Sequence, residues 1–125
     1  MSHFTTIQTQ IRDVTALEEA CVELGLPLLR NTEARGFAGQ SRKGELVIQL
    51  KGPYDIAANR SEEDGSYELA TDWWEGHVER EVGPNYGRLI QLYGVHKTIQ
   101  EAQKKRLRVT RRQETDGTIK ITLAA

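Results

Sequence analysis

Glu45-Leu-Val-Ile-Gln-Leu-Lys-Gly-Pro-Tyr-Asp-Ile-Ala-Ala-Asn-Arg60 is the stretch on which the fold turns. Leu46, Ile48 and Leu50 alternate with other residues, Gly52-Pro53 interrupts, and Tyr54, Ile56 and Ala58 resume the alternation. Successive side chains of a strand point to opposite faces, so two such runs on either side of a Gly-Pro break read as antiparallel neighbours sharing an apolar face. Tyr67 and Leu69, reached through Asp64-Gly65, supply a third strand. Gly-Pro and Asp-Gly are turn chemistry, and both connections are expected to be tight hairpins.

Working outward, residues 28–43 contain Arg35-Gly36-Phe37-Ala38-Gly39, which reads either as a short strand or as a glycine-rich loop. Residues 3–11 are rich in Thr and Ile and read as a strand. Thr15 followed by Glu18 makes a capping box, and Leu17, Ala20, Cys21 and Leu24 mark one face of a helix from about Thr15 to Leu24. Gly25 and Pro27 end it. On the other side, Leu89, Leu92, Ile99 and Ala102 recur near the helical period from Asn85 to about Arg106. Gly94 inside that helix costs about 1 kcal/mol relative to alanine, which suggests close packing or a break there. Leu107 and Val109, a turn at Asp116-Gly117, then Ile119, Ile121 and Leu123 describe a closing hairpin. The order is α+β: a mainly antiparallel sheet with two or more helices packed on one face, which also admits a ferredoxin-like topology.

Composition narrows the classes of function. The chain has 125 residues, 38% hydrophobic and 28% charged, and neither repeat nor linker divides it, so one domain over 1–125 is expected. Seventeen Lys+Arg against eighteen Asp+Glu leave a net charge of -1, so any anion-binding surface must be local. Cys21 is the single cysteine and cannot form an internal disulfide. No apolar run reaches signal-peptide or membrane-span length, so a cytoplasmic location without membrane insertion is the expectation. The sequon Asn59-Arg60-Ser61 has meaning only in a secreted protein.

Met1-Ser-His-Phe-Thr-Thr-Ile-Gln-Thr-Gln-Ile11, Asp64-Gly-Ser-Tyr-Glu-Leu-Ala-Thr-Asp-Trp-Trp74 and Asp116-Gly-Thr-Ile-Lys-Ile121 together resemble an uncharacterised family of cyanobacteria and red-algal plastids, hypothetical chloroplast reading frame thirty-five. The resemblance runs along nearly the whole chain. It implies a cyanobacterial-type cytosol or a plastid stroma and an association with photosynthetic performance. It implies no reaction, cofactor or catalytic residue, and no site is carried over from it.

Candidate chemistry concentrates in Asp72-Trp73-Trp74-Glu75-Gly76-His77, followed by Glu79, Glu81 and Tyr86. Indoles offer broad apolar area with one donor, so Trp73, Trp74, His77 and Tyr86 are the candidate surface for a protein partner. The plainer alternative is a core tryptophan among solvated charges. Asp72, Trp74 and His77 are the residues a small enzyme would use, and Asp72, Glu75 and Glu79 would share a helix face if a helix began near Trp73. His3, His77 and His96 are scattered without metal-ligand spacing, and neither a phosphate loop nor a dinucleotide fingerprint is present, so no cofactor or metal is expected. Lys104, Lys105, Arg106, Arg108, Arg111, Arg112 and Lys120 form the one local charge concentration. Arg108, Thr110 and Arg112 would share a strand face with Lys120 opposite, a polar ribbon able to meet RNA phosphates; the bland reading is the polar side of an amphipathic hairpin. The leading expectation is a non-enzymatic accessory or regulatory protein acting through protein-protein contact. A nucleic-acid-binding module is the alternative.

Overall fold

The alternation at Leu46, Ile48 and Leu50 becomes the centre of a five-stranded sheet in a computed structural model that describes residues 3–125. In chain order the elements are β1 (Thr5–Gln8), α1 (Val14–Leu24), β2 (Leu28–Arg35), β3 (Ser41–Ile48), β4 (Ile56–Arg60), β5 (Tyr67–Thr71), α2 (Glu79–Val82), α3 (Gly87–Lys104), β6 (Arg108–Gln113) and β7 (Ile119–Ala124). The main sheet runs β1-β5-β4-β3-β2, and β6 pairs with β7 separately. Every pairing is antiparallel. The α+β reading therefore stands, with β2 and β3 extending the meander through residues 28–43.

The period of two sorts the sheet into two faces. Leu46, Ile48, Ile56, Ala58, Tyr67 and Leu69 are buried in one cluster with Leu17, Ala20 and Cys21 of α1 and Leu89, Leu92 and Tyr93 of α3. The intervening Val47, Ala57 and Ala70 form a second cluster with Ala34 and a partly buried Phe4. That back face is covered by the outer half of the β2–β3 hairpin, which folds over it at Asn31, held at φ 49, and at Gly44. A Cβ on Gly44 would stand 2.5 Å from the Leu46 carbonyl oxygen and 3.3 Å from Ala57 Cα, so only glycine fits the bend. Beyond it the Asp55 N–H donates to the Arg35 carbonyl at 3.0 Å, tying the hairpin tip to the start of β4.

Several local expectations are corrected by tertiary contacts. The cap of α1 is Asp13 and not Thr15: Asp13 Oδ1 accepts the Ala16 N–H at 3.0 Å, and Oδ2 takes Lys97 Nζ of α3 at 3.0 Å. Gly25 closes the helix at φ 74, as expected. Strand β1 is shorter than residues 3–11, because the Thr9 hydroxyl donates to the Tyr67 carbonyl and accepts the Ile11 N–H, which turns the chain toward α1. Neither meander connection is a tight hairpin. Residues 49–55 form a loop in which Asp55 Oδ1 accepts the Leu50 N–H, and in residues 61–66 Asp64 Oδ1 accepts from the Ser66 N–H and hydroxyl. Helix α3 starts at Gly87 because Asn85 and Tyr86 sit at φ 51 and 63. Gly94 faces open space inside an unbroken helix, so it marks neither a break nor a close packing.

The β6–β7 hairpin rests on the outer side of the helices. Ile119 packs against the main core, Gln91 donates to the Gly117 carbonyl at 3.0 Å, and Arg111 makes paired bonds of 2.9 and 2.6 Å to Glu23 of α1. Arg111 is the chief reason that Glu23 is held down from 4.5 to about 2, with His96 adding to it and burial opposing. A carboxyl lowered in this way stabilises the folded state above pH 4.5 and loses that contribution as pH falls toward about 2. The stability advantage of the native chain over Arg111→Met in urea unfolding should therefore be full at neutral pH and shrink across that window. An advantage constant with pH would mean that the pair does not seat the hairpin.

Candidate functional site

Where β5 ends, two consecutive indoles part company. Asp72 is buried, and its Oδ1 accepts the Trp74 N–H at 3.0 Å, which sets the turn that follows. Trp73 turns inward onto the Tyr86 ring, with centroids 4.8 Å apart and planes at 67°. Trp74 turns outward, 39% exposed, against the Phe37 ring at 5.7 Å. After Trp74 the chain turns through Glu75 at φ 52 and Gly76 at φ 74. Only a single 3-10 turn, Trp74–Gly76, follows Trp73; it is broken by Glu75 at φ 52, and α2 starts at Glu79, so Asp72, Glu75 and Glu79 do not line one helical face.

Phe37 arrives from the tip of the folded-over hairpin on a turn of the same design, with Ala38 at φ 54. A non-glycine residue in the left-handed region costs on the order of 1–2 kcal/mol, because its Cβ crowds the following carbonyl. Two such residues thus stand beside the two aromatic rings that meet at this end of the sheet. His77 packs edge-on to Tyr54 at 5.6 Å, and its Nδ1 lies 3.4 Å from Arg80 Nη1. Burial, followed by the Asp72 and Glu75 charges, raises the Tyr54 phenol.

Beneath the rings lies a polar brace. Asp55 accepts from the Arg35 N–H and Nε at 2.9 Å each, from Arg35 Nη2 at 2.7 Å and from the Leu50 N–H at 3.1 Å. Burial pushes its carboxyl up, but these bonds outweigh burial and hold it below the ordinary value. Arg35 also donates to the Leu50 and Gly52 carbonyls, and Glu81 accepts the Lys51 and Gly52 N–H groups at 2.7 and 3.0 Å. The hairpin tip, the 49–55 loop and α2 are locked together by carboxylates on backbone amides.

Of the residues singled out for a partner surface, Trp74 is exposed and Trp73 and His77 are partly so. Tyr86 is fully buried and offers no surface; its hydroxyl has no hydrogen-bond partner among the described residues. Cys21 is buried, with burial and then Glu18 pushing its thiol up to about 12, which makes it a poor nucleophile at neutral pH. Among the described residues no three His, Cys, Asp or Glu side chains converge as metal ligands. His96 instead sits between Glu19 at 3.2 Å and Glu23 at 2.8 Å. The basic segment divides: Arg108 and Arg112 of β6 lie on one face with Lys120 of β7, Arg111 lies on the other, and Lys104, Lys105 and Arg106 close α3.

The family described as protein of unknown function, DUF1257, matches residues 20–122. The chain belongs to the DUF1257 family. It is also similar to the uncharacterized protein ycf35 of Pyropia yezoensis, 30% identical over 124 residues, which span 97% of this chain and 94% of that protein. The resemblance read from the sequence is thereby confirmed, and the relative is a hypothetical chloroplast reading frame of a red alga. No solved structure matches. Within this DUF1257 chain the match takes in both the aromatic end and the basic hairpin as far as Thr122, and leaves β1 outside. Among the described residues no helix is long and apolar enough to cross a membrane.

Sequence reasoning missed Phe37, Arg35 and Asp55; Glu81 was among the candidate carboxylates, but its hold on the Lys51 and Gly52 amides was not legible. Asp55 carried a signal, a carboxylate between Tyr54 and Ile56 in an apolar strand run, but its partner lay inside the segment left open at residues 28–43.

Proposed function

We propose that this DUF1257 chain is a non-enzymatic accessory or regulatory protein of a plastid stroma or cyanobacterial-type cytosol, and that it docks a protein partner through Trp74 and Phe37. The observation that carries this reading is the division of labour between the two indoles. Trp73 is spent on the core, whereas Trp74 is held outward on a turn braced by a buried aspartate. Tryptophan and phenylalanine are enriched at the desolvated centres of protein interfaces, where one ring can supply about 2 kcal/mol or more. Holding both rings in place before the encounter lowers the entropy lost on binding. Pro53 and Ala38 are exposed in the neighbouring loops, and His77 borders them half-buried.

Trp74→Ala is expected to melt close to the native temperature yet weaken capture of a partner from native-host lysate by about thirtyfold. Trp73→Ala should instead lower stability, since it removes a packed ring from the core. Equal recovery of the same partner by the native chain and Trp74→Ala would sink the proposal.

A further inference from the structure

The β6–β7 hairpin has two unlike faces. Val109, Ile119 and Ile121 are half-buried on the side toward the helices, where Arg111 meets Glu23. On the outer side the register sets Thr110 opposite Thr122 and Arg112 opposite Lys120, with Arg108 further along the same row. All five of these side chains are exposed. Thr110, Arg112, Lys120 and Thr122 enclose a shallow notch of about 120 Å³. Two hydroxyls and two cations around a small notch match the oxygens of one phosphate group, which accept hydrogen bonds and carry charge. Arg112 also donates to Glu114 Oε1 at 3.0 Å, a pair exposed on both sides and therefore of little worth, which a phosphate can displace.

The notch opens into a wider field. Six of the nine residues from Lys104 to Arg112 are cationic and none is acidic, in a chain whose net charge is -1. Lys104 is bridged to Glu101 at 3.5 Å. Positions two apart on one strand face are separated by about 7 Å, so Arg108, Thr110 and Arg112 offer evenly spaced donors to a linear polyanion. A membrane surface would call for apolar side chains beside the charge, and this row has only Ala124 at its end. It carries no aromatic ring either, so base stacking has no platform.

We propose that the outer face of the β6–β7 hairpin binds the phosphate backbone of nucleic acid, with one phosphate seated among Thr110, Arg112, Lys120 and Thr122. Recognition is by charge and hydroxyl and is indifferent to sequence. This surface is separate from the aromatic end and does not depend on the partner reading.

The test is fluorescence anisotropy of the full chain with a labelled mixed-sequence RNA of about 20 nucleotides, from about 50 to about 200 mM salt, where counterion release makes the slope report neutralised phosphates. Neutralising two phosphates, one in the notch between Arg112 and Lys120 and one on Arg108, gives a log-log slope of about -1.4 on a single strand. The double variant Arg112→Gln with Lys120→Gln should halve the slope to about -0.7 and weaken binding at least tenfold, while Arg112→Lys keeps the slope. A control pair, Arg30→Gln with Lys43→Gln on the β2–β3 hairpin, should leave both unchanged. The proposal is overturned by absence of binding at the lowest salt, by an unchanged slope in the double variant, or by binding to phosphatidylserine vesicles with none to RNA.

Discussion

Asp55→Ala is expected to destabilise the chain by about 3 kcal/mol, a fall in Tm of roughly 10 °C for a domain of this size. Removing one partner of a buried ion pair costs about 3–5 kcal/mol, and the lower end applies here because the Arg35 side chain is half exposed. The loss is more than an ion pair. The Arg35 and Leu50 N–H groups both end on this carboxylate, and both would be left without an acceptor at the join between the folded-over hairpin and β4. Asp55→Asn keeps one acceptor oxygen and should recover part of the stability. The hairpin tip also carries Phe37, so Asp55→Ala should increase solvent exposure of Trp74, read as a red-shifted tryptophan emission. A loss under about 1 kcal/mol in urea unfolding would show that the brace does not hold the tip.

Gly44→Val is expected to cost about 3 kcal/mol, at the upper end for overpacking. A Cβ would strike the Leu46 carbonyl oxygen at 2.5 Å and crowd Val47 Cγ2 at 3.0 Å and Ala57 Cα at 3.3 Å, so turning the Val47 side chain still leaves the clash with the backbone. The bend must open, and opening it uncovers Val47, Ala57 and Ala70, which should appear as binding of a hydrophobic dye. Gly94→Ala is the matched control: it meets nothing within 4 Å and should be neutral or stabilising by up to about 1 kcal/mol. If both substitutions proved equally benign, the close covering of the back face would be ruled out.

The elements that were legible in the sequence were those whose cause is local. Leu46, Ile48 and Leu50 declared a strand, Leu89, Leu92 and Ala102 a helix, and Asp116-Gly117 a hairpin turn, because period and turn chemistry act over a few residues. The cap at Asp13 was missed because Thr15 with Glu18 offers a competing capping box two residues on; Lys97, 84 residues away, adds a second hold on the Asp13 carboxylate. The two meander links were misread as tight because Asp55 and Asp64 carboxylates stabilise longer loops that dipeptide signals do not encode. At the aromatic end, Trp74 was visible as a candidate, but its neighbour Phe37 was not. That pairing requires the hairpin to fold across the sheet.

By itself the sequence determined an antiparallel α+β frame, membership of a family without assigned chemistry, and a cationic run in a nearly neutral chain. It could do so because alternation, helical spacing, residue similarity and charge are all properties of the chain read in order. Only the tertiary structure decided which tryptophan faces water, that Tyr86 is buried, and that Phe37 meets Trp74. Those outcomes depend on where Gly44 bends and on which backbone amides Asp55 and Asp72 capture, and contacts closed across the fold are set by packing rather than by neighbours in the chain.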